Sequence, residues 1–217
     1  MLRSELPTPV TISTLHVKYE LILWYSLSLR ERPAIGIPIS AKLHHKYVKK
    51  TQILVIGHND NGCLPLHRKI AYDVGHLVAE RGAILLTGGM GGVMRAASSG
   101  AKDAGGTVVG IIPPKDADAA NEFCDIVIPT GLGLMRDFVN AYAADGIIIV
   151  GGGVGTLSEM CAAYMHNKPM VAIRSSGGMA EKYADEYLDH RKHVLIVGAD
   201  SPSESIDTLF GILDKGS

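Results

Sequence analysis

Gly146-Ile147-Ile148-Ile149-Val150 runs directly into Gly151-Gly152-Gly153-Val154-Gly155-Thr156-Leu157-Ser158-Glu159, and then into Met160-Cys161-Ala162-Ala163-Tyr164-Met165. The first five residues are apolar without alternation, the pattern of a strand covered on both faces. The last six read as a helix. The glycines therefore stand where a strand hands over to a helix. There they allow positive φ and let a ligand come close to main-chain N–H groups. The first turn of the helix offers unpaired N–H donors at the positive end of its dipole, which suits an anion such as phosphate. Thr156 is expected to cap that helix and to offer a hydroxyl. Glu159 lies one turn further in. A carboxylate beside an anion site is electrostatically unfavourable, so the combination points to chemistry on a sugar or a water in addition to phosphate holding.

The same grammar appears upstream. Gln52-Ile53-Leu54-Val55-Ile56-Gly57 reads as a buried strand, followed by the polar loop His58-Asn59-Asp60-Asn61-Gly62 and a helix over 65–81 whose inner face carries Ile70, Val74, Leu77 and Val78. Gly82 closes that helix. A second strand over 83–87 enters Gly88-Gly89-Met90-Gly91-Gly92-Val93-Met94 and a helix reaching Ala104. Further strands are expected over 107–112, 125–129, 170–173 and 193–197. Helices are expected over 134–145, 180–188 and 202–213, with 175–178 as a flexible loop. Strand and helix alternate at short intervals, the mark of a parallel sheet with right-handed crossovers. The fold class is α/β: a Rossmann-like, doubly wound, mostly parallel sheet with helices on both faces. Residues 51–217 form this domain. Residues 1–50, broken by Pro7, Pro9, Pro33 and Pro38, read as an N-terminal extension.

The chain has 217 residues and a net charge of −1, from 21 basic and 22 acidic side chains, which gives no electrostatic footprint for nucleic acid. Cys63, Cys124 and Cys161 are widely spaced and odd in number, so neither a disulfide framework nor a zinc site is indicated, and a reducing cytoplasm is the expected setting. The apolar stretch 21–25 is too short to span a bilayer and lacks the cleavage site of a signal peptide. His44-His45 and the pair His190, His193 have no further ligand spacing, and no metal site is expected.

Neither glycine turn is a P-loop, because G-x-x-x-x-G-K-[ST] is absent, and neither gives G-x-G-x-x-G with a ribose-binding acid downstream. What remains is a pair of turns whose main-chain amides converge on one small dianion. Gly57, Gly88, Gly89, Gly91, Gly92, Val93, Met94, Gly152, Gly153, Val154, Gly155 and Thr156 are the expected phosphate-binding positions. Arg136, able to pair two oxygens at once, is the candidate anion clamp. Glu159, partly buried among apolar neighbours, is the candidate general acid/base. Asn59 and Asp60 are equally readable as base or sugar contacts and as ordinary loop polarity.

From Thr51 to the end, the chain resembles the LOG-like, lysine-decarboxylase-labelled Rossmann superfamily. Gly152-Gly153-x-Gly155-Thr156-x-x-Glu159 is similar to that family's P-G-G-x-G-T-x-x-E, Gly88-Gly89-x-Gly91-Gly92-Val93-Met94 to its upstream phosphate turn, and Arg136 falls at its catalytic arginine. In cytokinin-activating members these two residues cleave the N-glycosidic bond of a nucleoside 5′-monophosphate, releasing base and ribose 5-phosphate. Gly151 stands where that pattern has proline, Asp137 where a basic residue follows the arginine, and Ser158 where the first glutamate of T-L-E-E stands. These variants, with Gly-Gly-Val-Met and Ile-Pro-Thr-Gly-Leu-Gly, resemble the molybdenum-cofactor-carrier-like branch, whose members bind a phosphorylated pterin or have no assigned ligand. The resemblance implies a small phosphorylated ligand, nucleotide or molybdopterin-type, no cofactor for catalysis, and a homodimer or higher homo-oligomer. Three functions stay open: binding or carrying such a ligand, phosphoribohydrolase activity through Arg136 and Glu159, and a structural or regulatory oligomer. Lysine decarboxylation is disfavoured because no lysine sits in a Schiff-base context.

Overall fold

The computed structural model of the protein describes residues 49–215. The extension expected over 1–50, with its prolines and His44-His45, lies outside the described residues but for its last two. In chain order the elements are β1 (Gln52–Gly57), α1 (Pro65–Glu80), β2 (Ile84–Thr87), α2 (Val93–Asp103), β3 (Thr107–Ile112), β4 (Ile126–Pro129), α3 (Arg136–Ala143), β5 (Gly146–Val150), α4 (Val154–Met165), β6 (Met170–Ile173), α5 (Gly178–Tyr183), β7 (Glu186–Tyr187), β8 (Leu195–Ala199) and α6 (Pro202–Lys215). The strands form one sheet in the order β4-β3-β2-β1-β5-β6-β8-β7. Every pairing is parallel except that of β7 with β8.

The period of two along each strand sorts side chains between two cores. In β1, Ile53 and Val55 join α1, α2 and α6, represented by Val74, Ala97 and Leu209. Leu54 and Ile56 join α3, α4 and α5, represented by Ala141, Met160 and Ala180. In β5, Ile147, Ile148, Ile149 and Val150 are all fully buried, which is why the strand has no polar alternation. Burying each such side chain contributes about 1.5–3 kcal/mol, so this run has no stable place at an edge. Gly57 at the end of β1 lies beside Val150 at the end of β5. From β1 the chain passes into α1 on the first face, and from β5 into α4 on the second. The two connections part, and a crevice opens at the carboxyl ends of the strands, where ligands bind in open α/β sheets.

Several local expectations differ from the structure. The helix expected over 134–145 is a 3₁₀ turn at Gly133–Met135 followed by α3. The helix expected over 180–188 ends at Tyr183, and the chain turns back as β7. Asp185 causes the reversal. It adopts φ 64°, its amide donates to Ile196 O at 2.7 Å, and its carboxylate accepts from the Gly198 amide at 2.9 Å and pairs with Arg174. The strand expected over 193–197 forms as β8, displaced toward the C-terminus. Residues 175–178 are no flexible loop: Arg174–Ser176 is a 3₁₀ turn and Ser176 is buried. No helix among the described residues is long and apolar enough to cross a membrane.

Candidate functional site

The turn between β5 and α4 is fixed from behind. Gly151 and Gly152 take φ 62° and 103°, conformations that a side chain would strain. The Gly151 amide donates to Ser176 Oγ at 2.7 Å. The amides of Met179 and Ala180, at the start of α5, donate to the carbonyls of Gly152 and Gly151 at 3.1 and 2.9 Å. The turn's carbonyls are thus drawn toward α5. No described residue accepts from the amides of Val154, Gly155 or Thr156, the first three positions of α4. Those are the donors a helix start leaves for an anion. Thr156 does not cap the helix as expected. Gly153 is the N-cap residue, and Thr156 lies inside the first turn, buried against Gly152.

The upstream turn differs. The Gly89 amide donates to Thr87 Oγ1 at 3.0 Å, the Gly92 amide to Asp60 Oδ1 at 2.9 Å, and the Val93 amide to His58 O at 2.9 Å. The 3₁₀ turn at Asp60–Gly62 carries an acid onto the start of α2, where it serves as an internal anion. The expectation of bare amides at both turns therefore holds at the α4 start and fails at Gly89, Gly92 and Val93. Asp60, read from sequence as a possible sugar contact, is the reason. The two turns are also separated by β1; they do not follow neighbouring strands.

Arg136 joins the two halves. Its guanidinium lies on Gly88, where a Cβ would come within 2.1 Å of Nη1. Arg136 is 9% exposed and Glu159 8%. Arg136 Nε stands 3.5 Å from Asp137 Oδ1 and Nη1 3.8 Å from Glu159 Oε1, charge contacts too long to be good hydrogen bonds. Both nitrogens are buried without a hydrogen-bond partner, as is Asn140 Oδ1. Asn140 Nδ2 donates to Glu159 Oε1 at 3.3 Å, and the Ser158 hydroxyl donates to Asp137 Oδ2 at 2.5 Å. Burial pushes the Glu159 carboxyl up to about 7, with the Asp137 charge adding to the rise and Arg136 and Asn140 opposing it. Asn140 belongs to no motif in the sequence, but its place four residues after Arg136 puts both on one helix face.

These groups line a cleft of about 470 Å³ at the strands' carboxyl ends. Gly57, Met94, Gly153, Gly155 and Thr156 border it with Arg136 and Glu159, as do His58 and Asn59. Gly152 and Val93 stand behind this lining: Gly152 packs on Thr156, and the Val93 side chain lies under Gly57. Val154 is exposed at the start of α4. A larger cavity, about 890 Å³, opens near Asp145, Pro169 and Leu195 at the strands' opposite ends, and none of the glycine turns reaches it.

The fold and cleft define a Rossmann-type α/β protein with a small-ligand crevice at its topological switch point. Residues 50–206 match the model of the SLOG cluster4 family, and the chain belongs to that family. An uncharacterised Archaeoglobus fulgidus protein is 43% identical over 127 residues, covering 58% of this chain and 82% of that one. A cytokinin riboside 5′-monophosphate phosphoribohydrolase of Mycobacterium tuberculosis is 35% identical over 115 residues, 48% of this chain and 61% of that one. Among solved structures, the molybdenum cofactor binding protein from Rippkaea orientalis superposes with a TM-score of 0.69 at 34% identity, over 76% of this chain and 99% of that one. The resemblance to LOG-like proteins on their molybdenum-cofactor-carrier side therefore holds.

Glu159 makes stability depend on pH. Its folded value of about 7 exceeds the ordinary 4.5, so between those values the folded chain binds more protons than the unfolded chain, and stability falls as pH rises through the window. Glu159→Gln, neutral at every pH, is expected to match the wild type near pH 4–5 and to exceed it by roughly 1–3 kcal/mol at pH 8. Urea unfolding at the two pH values measures the difference. A Gln variant less stable at pH 8 would mean that Arg136 holds the carboxylate more strongly than burial disfavours it.

Proposed function

We propose that the cleft binds a small phosphorylated ligand bearing a heterocycle, a nucleoside monophosphate or a molybdopterin-type compound, with its phosphate at the start of α4. The supporting observation is Arg136, a buried guanidinium with two unsatisfied nitrogens that lines the same cleft as Gly155 and Thr156, whose amides are unpartnered. Buried donors without partners call for an acceptor, and a phosphate supplies several. The names of the two relatives with assigned ligands, a phosphoribohydrolase and a cofactor-binding protein, agree with this class of ligand. The ligand binds without a resident cofactor. The three free cysteines suit a cytoplasmic setting.

A second reading, phosphoribohydrolase activity, is favoured by Glu159 alone. A carboxyl near 7 is populated in both protonation states at neutral pH, the condition for general acid/base work. In that reaction a water oxygen bonds to C1′ while the glycosidic C–N bond breaks. The water's proton passes to Glu159, and the base leaves with the bonding pair and takes a proton from solvent. Arg136 holds the phosphate or ribose through the step.

Titration of adenosine 5′-monophosphate into the full chain tests the binding reading. Arg136→Ala is expected to raise Kd about tenfold or more, the effect of losing charged hydrogen bonds. A wild type that binds neither AMP nor ribose 5-phosphate and carries no phosphate ester in its denatured supernatant overturns it. Chromatography for released adenine tests the second: Glu159→Gln should lower the rate by about 10²–10⁴ while AMP binding persists. A wild type that releases no base is a binding or carrier protein, and mass spectrometry of its denatured supernatant should then show an intact phosphate ester.

The ligand-binding protein is proposed to be a homodimer through α3 and α4. Met135, Phe138, Val139, Tyr142, Val154 and Met165 are exposed apolar side chains on or beside these two helices. A patch of this kind marks an interaction site, and the family resemblance makes a second copy its occupant. Phe138→Glu with Tyr142→Glu is expected to convert a dimer into a monomer in sedimentation. A monomeric wild type refutes the assignment.

A further inference from the structure

His58, the first residue after β1, is unused by the reading above, yet it lines the cleft, and a Cβ on Gly153, another lining residue, would lie 3.9 Å from its ring at Cε1. No other aromatic residue lines the cleft among the described residues. One face of the imidazole lies on His67, with ring centroids 5.0 Å apart and planes 24° from parallel. His67 is fixed in turn. It is buried, its Nδ1 accepts from the Leu64 amide at 3.1 Å, and Nε2–H therefore donates to Ser176 O at 2.8 Å. Ser176 is the residue that holds the Gly151 amide, so the backing of His58 and the phosphate-side turn share one support. Room for the ring comes from two glycines. A Cβ on Gly62 would meet His58 Nδ1 at 2.6 Å, and one on Gly151 would meet Cδ2 at 3.0 Å. Burial, then the neighbouring His67, lower the His58 pKa below the ordinary 6.5, which favours the uncharged ring at neutral pH.

We propose that His58 is the residue that binds the ligand's heterocycle: its imidazole, braced by His67, is the wall on which a flat heteroaromatic ring stacks, and Asn59 and Asn61 line the same cleft. The inference rests on the cleft being the phosphorylated-ligand site. A rigid flat ring stacks on another flat ring at little cost in conformational entropy, and stacking tolerates different heterocycles because each presents a π face. Ring recognition is thereby separated from phosphate recognition: the first belongs to the loop after β1, the second to the start of α4 and to Arg136.

The separation is testable with two ligands that share a phosphosugar and differ in the ring. Adenosine 5′-monophosphate and ribose 5-phosphate are titrated into the full-length wild type, His58→Ala, His58→Leu and His58→Phe, with folding followed by circular dichroism. His58→Ala and His58→Leu are expected to weaken AMP about tenfold and to leave ribose 5-phosphate within about twofold, on the scale of losing one base–aromatic stack. His58→Phe restores AMP binding, because it restores the ring. His58→Leu keeps bulk against His67, so the loss is read even where the alanine variant unfolds. Equal weakening of both ligands, unchanged AMP affinity in the leucine variant, failure of phenylalanine to rescue, or a wild type that binds ribose 5-phosphate and not AMP overturns the assignment of His58. A wild type that binds neither ligand and releases no phosphate ester on denaturation overturns the reading of the cleft itself.

Discussion

The parallel pairing of β1 with β5, from Ile53 against Gly146 to Gly57 against Val150, is the constraint on which the rest of the molecule depends. Both strands are buried on both faces, so neither can slip by one residue without moving its side chains into the wrong core. With the register fixed, the two strand ends stand level, and the chain departs from them toward opposite faces. The crevice is therefore a consequence of connectivity. It exists before any polar residue is placed in it, and the loop after β1 and the turn after β5 are obliged to face each other across it. His58 and Glu159 come from opposite sides of that divide.

The strands were legible because their apolar runs are unbroken. The bounds of β1, β3, β5 and β6 follow from sequence alone, since glycine, proline or a polar residue ends each run. The errors fall where a long-range contact overrides a local preference. Nothing near Ala180–Leu188 announces that Asp185 will bind the Gly198 amide and Arg174, and these contacts end α5 early. Ser176 reads as part of a polar, glycine-rich loop, yet it is buried because the Gly151 amide needs an acceptor. At the site, the position of Arg136 and Glu159 was readable by resemblance, but the capture of Gly92 by Asp60 was not. A polar loop and a glycine-rich turn distant in sequence carry no mark of being partners. The small size of Gly91, whose Cβ would lie 1.8 Å from Asp60 Oδ2, is the one trace of that contact.

The two glycine turns, alike in composition, have diverged in use. At the start of α2 a carboxylate of the chain itself answers the helix dipole, so this turn serves to anchor the loop that carries His58; the Val93 amide holds the same loop through the His58 carbonyl. At the start of α4 the carbonyls are tied back and the amides are left open. One turn positions a wall of the cleft, and the other presents its open amides at the cleft. Glycine motifs therefore identify the fold more directly than they identify the number of anion sites, which depends on what the neighbouring loops contribute.

The charges around Arg136 set what the cleft can hold. One guanidinium faces two carboxyl groups, Asp137 and Glu159, in a space nearly closed to water. With both ionised the cluster would carry a net negative charge and repel a phosphate. Glu159 relieves this, since burial raises its carboxyl to about 7 and the proton cancels the excess charge. An incoming dianion strengthens the same tendency, because a nearby negative charge further disfavours the carboxylate. On the proposed reading, phosphate binding and protonation of Glu159 are therefore coupled. The coupling favours a protonated Glu159 when the site is filled, a form suited to donating a proton and unsuited to accepting one from water. If base release occurs, the cluster must restore the carboxylate within the bound complex, and Arg136 and Asn140 are the groups that stabilise it there. On the proposed reading, the balance between Arg136 and Asp137 around a single buried glutamate is what divides retention of an intact ligand from cleavage of its glycosidic bond.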